Sequence, residues 1–351
     1  MSGRDKIRLS DFITLQRGFD LPSSHRKEGD IPIVASTGIV GYHNEVKVSG
    51  PGVVIGRSGS IGGGQYVSGN HWPLNTTLWV KDFKGNVPQF VYYFLKNIDF
   101  SRFNAGAGVP TLNRHHISSI AVLRFSISEQ ARIVSLLSSY DDLIENNRRR
   151  IQLLEQSARL LYREWFVSLR FPGHEHVKIN NGVPEGWERK TLGEYAPLKY
   201  GKALKADSRV FGQVVVYGSS GIVGHHDKSL VSGPAIILGR KGNVGSVYWS
   251  PGDCWPIDTV YYIKREPALR YLFYALLNMP FISTDVAVPG LNRDFAHSLK
   301  LLLPGNLVLG LFEEIVEPLH RQIETLEKQI TSLAKARNIL LPRLMSGEVV
   351  I

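Results

Sequence analysis

The sequence predicts an α+β protein in which two pseudo-symmetric α+β domains are separated by an antiparallel two-helix coiled-coil spacer. Three observations carry this. One stretch repeats its apolar residues at strict four-three spacing, a second stretch near the C-terminus keeps the same rhythm, and the strand-and-turn sequence ahead of each is itself duplicated. The order is domain (residues 1–125), helix (126–168), linker (169–186), domain (187–304), then helix and tail (305–351).

The domains come first. Val53-Val54-Ile55 and residues 77–80 are short, β-prone and bounded by Gly and Pro, as are Ala235-Ile236-Ile237-Leu238 and residues 260–263, so all four read as strands. Residues 87–96 and 269–277 carry aromatic and aliphatic side chains at helical spacing and read as a short helix packed on those strands. The duplication is explicit. Val34-Ala35-Ser36-Thr37-Gly38-Ile39-Val40-Gly41 matches Tyr217-Gly218-Ser219-Ser220-Gly221-Ile222-Val223-Gly224 at a shift of 183 (217 minus 34), and Trp72-Pro73-Leu74-Asn75-Thr76 matches Trp255-Pro256-Ile257-Asp258-Thr259 at the same shift. Val109-Pro110-Thr111-Leu112-Asn113-Arg114 matches Val288-Pro289-Gly290-Leu291-Asn292-Arg293 at 179, so the second copy is four residues shorter between these blocks.

The first helical seam is Ile133, Leu137, Tyr140, Ile144, Asn147, Ile151, Leu154, Ala158, Leu161 and Trp165, with Arg148, Arg149 and Glu155 on other faces. A sustained period of about 3.5 residues argues for a coiled-coil seam. The second seam is Phe312, Val316, Leu319, Ile323, Leu326, Ile330, Leu333, Arg337, Leu340 and Leu344, each matching its counterpart at a shift of 179 (312 minus 133). A helix of about 40 residues would be about 60 Å long and cannot bury such a face alone, so the two are expected to pair. The second domain follows the end of one helix and precedes the start of the other; antiparallel pairing brings those ends together. Phe171-Pro172-Gly173, Asn180-Asn181-Gly182 and Pro184-Glu185-Gly186 are turn formers that mark the linker. Asn147 and Arg337 are polar seam positions that either fix register or, for Arg337, reach to solvent. Pro318 is expected to kink the second helix or to mark its first turn.

Forty-three per cent hydrophobic residues support real cores, and 41 Lys plus Arg against 31 Asp plus Glu give a net charge of +10, which favours a polyanionic partner. The single cysteine, Cys254, excludes a disulfide framework and a cysteine-based metal site and fits a reducing, cytoplasmic setting. The apolar run at residues 299–303 stops at Pro304-Gly305, far short of a membrane span. Catalytic signatures are missing. Gly62-Gly63-Gly64 lacks the Lys and Ser/Thr of a phosphate loop, and Asn278-Met279-Pro280-Phe281 has Met where the amino-methyltransferase motif has Pro and reads as a helix terminus. His115-His116, His225-His226 and His174 with His176 lack partners at metal-ligand spacing.

What remains are two loops, Gly56-Arg57-Ser58-Gly59 and Gly239-Arg240-Lys241-Gly242, each after a strand. Glycine lets backbone approach a phosphate or base closely, and Arg offers a bidentate fork for phosphate or guanine. The bland alternative for one copy is a tight turn with an exposed Arg. Retention in both copies favours binding.

At this point the whole chain resembles a specificity subunit of a type I restriction–modification system. The resemblance is carried by residues 55–62 and 109–113, by Glu164-Trp165-Phe166 leading to Phe171-Pro172-Gly173, by Val183-Pro184-Glu185-Gly186-Trp187, and by Leu341-Pro342-Arg343-Leu344-Met345-Ser346-Gly347-Glu348. It implies a non-catalytic subunit in which each domain is a target-recognition domain for half of a bipartite, asymmetric double-stranded DNA site, and the helices set the separation and dock methyltransferase subunits. Restriction/translocase subunits would join that core. S-adenosylmethionine, ATP and Mg would belong to those partners, with no cofactor or metal bound directly and no membrane involved. Candidate DNA contacts are Tyr42, His43, Arg57, Ser58, Ser60, Asn75, Asn113 and Arg114 in the first copy, and His225, His226, Arg240, Lys241, Asn243, Asn292 and Arg293 in the second. These recognition domains are short, so loops with extra base contacts in larger relatives are expected to be missing. The alternative is a two-headed coiled-coil adaptor binding RNA or protein.

Overall fold

The computed structural model describes residues 5–264, 269–283 and 290–351; Val288 and Pro289 of the second repeat lie outside them. The chain forms two compact units, Met1–Arg148 with Glu327–Ile351, and Arg149–Leu326. Each unit includes one sheet-bearing domain and part of both long helices.

In the first unit a four-stranded antiparallel sheet has the order Thr14–Arg17, Thr77–Asp82, Gly52–Gly56, Gly62–Val67. A second sheet orders Gly38–His43, Ile31–Ala35 and Trp72–Pro73, and Lys6–Arg8 pairs with Ala121–Leu123. The second unit repeats this. Its four-stranded sheet is Lys199–Tyr200, Val260–Ile263, Ala235–Gly239, Val247–Ser250, its second sheet is Gly221–His226, Val214–Gly218, Cys254–Pro256, and Glu188–Thr191 pairs with Lys300–Leu303. Even the register is kept: Val54 opposes Trp79 as Ile237 opposes Tyr262, at the repeat shift of 183 (237 minus 54) for both partners. The strands Gly52–Gly56 and Ala235–Gly239 are buried along their whole length, which is why they read as unbroken apolar runs.

The short helices Pro88–Lys96 and Arg270–Leu277 sit where helical spacing places them. The first long helix runs Ile127–Tyr162 and continues as a π-helical turn, Arg163–Val167. Its start is a capping box: Glu129 accepts from the Ser126 backbone N–H at 2.8 Å, and Ser126 Oγ accepts from the Glu129 N–H at 3.3 Å. The second long helix runs Asn306–Met345, so Pro318 does not mark its first turn; the helix starts behind Pro304-Gly305 and carries Pro318 in its interior.

The seams pair as an antiparallel arrangement requires. In the first unit Ile133 and Leu137, early in one helix, share a core with Leu341 and Leu344, late in the other, together with Phe90, Phe94 and Phe12. In the second unit Phe312 and Val316 share a core with Ala158, Tyr162, Trp165 and Phe166. The polar seam residues find partners. Asn147 donates to Gln329 Oε1 at 3.1 Å, and Arg337 forms an ion pair with Asp141 instead of reaching to solvent alone.

Candidate nucleic-acid interface

In the first unit three segments converge beyond the end of the Gly52–Gly56 strand. The N–H groups of Arg57 and Ser58 both donate to the Thr76 carbonyl (2.8 and 3.0 Å), Gly59 donates to the Pro110 carbonyl (2.9 Å), and Leu112 donates back to the Arg57 carbonyl (2.7 Å). The loop is therefore held between residues 75–76 and 109–112. Gly59, at φ 82°, makes the turn that an ordinary side chain resists. The Arg57 guanidinium donates to the Asn75 carbonyl at 3.4 Å, while the Asn75 side chain bonds to Asp20.

The second unit builds the same corner. Arg240 and Lys241 donate to the Thr259 carbonyl (2.9 and 3.0 Å), Leu291 donates to the Arg240 carbonyl (2.8 Å), and the Arg240 guanidinium donates to the Asp258 carbonyl (3.0 Å). Here the guanidinium also lies 4.9 Å from the Tyr200 ring, and that of Arg293 lies 5.1 Å from the same ring. Sequence reasoning missed Tyr200, which stands beside this corner. Its counterpart is the exposed Arg17 (200 minus 183), so a signal was present: a polar, exposed strand end beside the duplicated loop in both copies.

The remaining predicted residues divide. Ser60, Arg114, Lys241, Asn243 and His225 are exposed, and Tyr42 is 57 % exposed on the smaller sheet of its unit. Asn113 and Asn292 are exposed but serve as helix caps, accepting from His115 and from Asp294 and Phe295. His43 and His226 are corrected. They are 2 % and 6 % exposed, each accepts a backbone N–H at 3.1 Å (from Lys27 and from Val210), and each meets a tryptophan edge to face at 5.3 Å. Both rings pack against the sheet instead of standing exposed. No local signal warns of this, because a histidine ending a strand reads as polar, whereas both rings are enclosed by Trp72 and Trp255.

A corner with an arginine fork, flanking hydroxyl, amide or ammonium groups, and in one unit an aromatic platform, can hold phosphate oxygens or base edges. Other chemistry is sparse. Among the described residues no cluster of three His, Cys, Asp or Glu side chains is arranged to hold a metal ion, and no helix is long and apolar enough to cross a membrane. Asn278 closes the helix Arg270–Leu277, donating to the Tyr274 carbonyl at 2.8 Å, so its motif is a helix end. Burial raises the Cys254 thiol to about 11, leaving it protonated and inert near neutral pH.

Comparison with known proteins places the chain in a family. The chain is 24 % identical over 305 residues to the MjaIX type I restriction enzyme specificity subunit of Methanocaldococcus jannaschii, covering 76 % of this chain and 70 % of that one. It is 21 % identical to the MjaVIII specificity subunit of the same organism, over 98 % of this chain and 92 % of the relative. The crystal structure of a type I restriction-modification S subunit from M. genitalium shares the fold, with a TM-score of 0.65, 19 % identity, and coverage of 98 % of this chain and 97 % of that one. The adaptor reading falls away. Since the sequence model of the family described as "Type I restriction modification DNA specificity domain" matches residues 1–156 and 184–335, the chain belongs to that family, as a non-catalytic DNA-specificity subunit with two recognition domains.

Proposed function

We propose that each unit reads one half of a bipartite, asymmetric duplex target, that the paired long helices set the spacing of the halves, and that the same helices dock methyltransferase subunits, to which restriction/translocase subunits add. S-adenosylmethionine, ATP and Mg act in those partners. The observation that carries this reading is the corner built twice on one backbone plan with different side chains, Ser58 and Ser60 against Lys241 and Asn243. Shared residues then serve as scaffold or phosphate contacts, and sequence is read where the copies diverge.

The test is a loop graft. Divergent segments 19–27, 42–44, 58–65 and 102–107 replace their second-unit counterparts, and adenine methylation is mapped in cells that also carry the methyltransferase. The expected outcome is a site converted toward symmetry with unchanged spacer length. A changed spacer, or a second half-site left as it was, defeats the division between reading loops and scaffold. Losing methylation altogether while the graft still folds would argue that the loops dock partners.

A further inference from the structure

The strands Thr14–Arg17 and Lys199–Tyr200 end beside the two corners, each tied there by the glycine that follows: Gly18 donates to the Thr77 carbonyl and Gly201 to the Val260 carbonyl, both at 3.1 Å. At this strand end the units differ, Arg17 standing where the second unit has Tyr200 (200 minus 183). Two arginines nearby are common to both, Arg57 with Arg240 at the same shift and Arg114 with Arg293 at 179 (293 minus 114). In the second unit Tyr200 gathers them. Its ring centre lies 4.9 Å from the Arg240 guanidinium and 5.1 Å from that of Arg293, and the Asp258 carbonyl holds Arg240 from one edge. Arg293 Nε is buried without a hydrogen-bond partner among the described residues, with the exposed Asp294 carboxylate 3.9 Å away. The first unit puts no ring at this position. Arg17 and Arg114 are exposed, and among the described residues their side chains have neither an ion pair nor a hydrogen bond; Arg57 makes one side-chain hydrogen bond, the 3.4 Å contact to Asn75. The Asp20 carboxylate close by is engaged by the Asn75 amide. Cation number is not what separates the corners, because Lys241 adds to the second a charge where the first has Ser58. They differ in how firmly the guanidinium groups are held.

We propose that this strand-end position belongs to the DNA interface in both units with different duties: Arg17 is a phosphate contact of the first half-site, and Tyr200 is a positioning residue that fixes Arg240 and Arg293 on phosphates of the second. A guanidinium stacked on a ring keeps its charge and loses rotational freedom, so its fork meets two phosphate oxygens at little further cost. A free arginine contributes charge and counterion release without orientation. Reading a base edge requires a held plane, which Arg17 lacks, so divergence here alters how the duplex is gripped and not which sequence is read. The proposal rests on the recognition reading above. It is tested with the full chain by duplex affinity across a salt series and by mapping adenine methylation. We expect Arg17→Ala to make the salt dependence shallower by about one ion with the methylated sequence unchanged. Tyr200→Ala should weaken binding several-fold at unchanged salt slope, and Tyr200→Phe, which keeps the ring, should stay within twofold of wild type. As a second measure of restraint, Arg293→Lys should cost several-fold while Arg114→Lys stays within twofold. An unchanged slope or an altered methylated sequence in Arg17→Ala overturns the phosphate contact. Tyr200→Ala within twofold of wild type, Tyr200→Phe as weak as Tyr200→Ala, or equal losses in the two lysine variants overturns the positioning role. In each of these cases wild-type binding leaves the recognition reading standing, whereas a wild type without salt-dependent duplex binding removes both.

Discussion

At the seam of the first unit Ile133 shares its core with Leu341, Leu344 and Met345; at the matching positions the second unit has Phe312, Tyr162, Trp165 and Phe166, the helical shift of 179 applying to every pair (312 minus 133). At these seam positions one unit has aliphatic side chains and the other has rings, Phe166 meeting Phe312 at 4.9 Å and Tyr271 at 4.8 Å, both edge to face. The polar contacts differ in the same coordinated way. Tyr93 donates to Asp141 at 2.6 Å in the first unit; in the second, the counterpart Tyr274 meets His320, the counterpart of Asp141, at 2.7 Å. A backbone plan duplicated to the level of strand register thus accepts two different interiors, provided that side chains change as sets. Packing density explains the coupling, since a close-packed site admits a new shape only if its neighbours yield.

The sharpest way to break the comparison is to write one unit's residue into the other. Arg270→Gln installs the first unit's Gln89 in the second, removes the cation from Trp249 and Glu324, and leaves Glu317 with Arg321 alone. We expect a loss of about 3 kcal/mol, the low end for a broken buried pair because both glutamates keep partial solvent access, measured by urea unfolding. A loss below about 1 kcal/mol would mean that the pair is incidental to docking of this helix.

Acid should separate the units next. Burial first, and then the Arg270 charge, hold His320 at about 4, against an ordinary 6.5; Glu317 opposes this weakly, and Glu313 and Glu324 lie on the same helix. Between those two values the unfolded chain takes up a proton that the folded one refuses, so stability falls as pH drops from 6.5 toward 4 and levels below it. The full effect is up to about 3 kcal/mol. His320→Gln keeps an acceptor for Tyr274 and should remove this component. His71 in the first unit is also depressed by burial, so the comparison is of wild type with His320→Gln across the same pH series. Coincident curves would show that His320 does not titrate with folding.

A third test exchanges volume. His71 is fully buried against Gly52, and a Cβ on Gly52 would collide with its ring; the corresponding pair in the second unit is Cys254 and Ala235, at the shift of 183 (254 minus 71). Gly52→Ala should cost about 1–3 kcal/mol by overpacking, and adding His71→Cys should restore most of it. Additive losses in the double variant would refute the view that the pair changed together.

The smallest expected effect is at the interface. Arg57→Ala and Arg240→Ala should each weaken specific duplex binding by about 1 kcal/mol, at the low end of a base or phosphate contact because each guanidinium also serves a backbone carbonyl. Binding isotherms at two salt concentrations decide whether the contact is to phosphate, which reduces the salt slope, or to a base.

Much of this architecture is readable in advance because its signals are periodic. A seam of four-three spacing and a repeat at fixed shift survive without knowledge of any contact, and they place both long helices, the short helices and the strands around residues 53–55 and 235–238. Pro318 reads as a candidate first turn because a proline is a local signal, while seam burial along the whole helix outweighs it. The site is legible only as a pair of loops. That His43 and His226 are enclosed depends on Trp72 and Trp255, which lie on a different strand in each copy, and nothing local announces it. Arg270, Glu317 and Glu324 likewise belong to separate elements that only the tertiary structure joins.

The fastening of Tyr93 to Asp141 and of Tyr274 to His320 also limits which domain exchanges this fold would accept. A crossover that moves a whole sheet domain and leaves the helices behind would set Tyr274 against Asp141 and bring Arg270 to Ser138 in place of Glu317. The transplanted domain would arrive with the wrong lock for its key. An engineered exchange that works should therefore cut inside the long helices, near residues 148–149 and 326–327, and carry each sheet away with the helical segments that fit it.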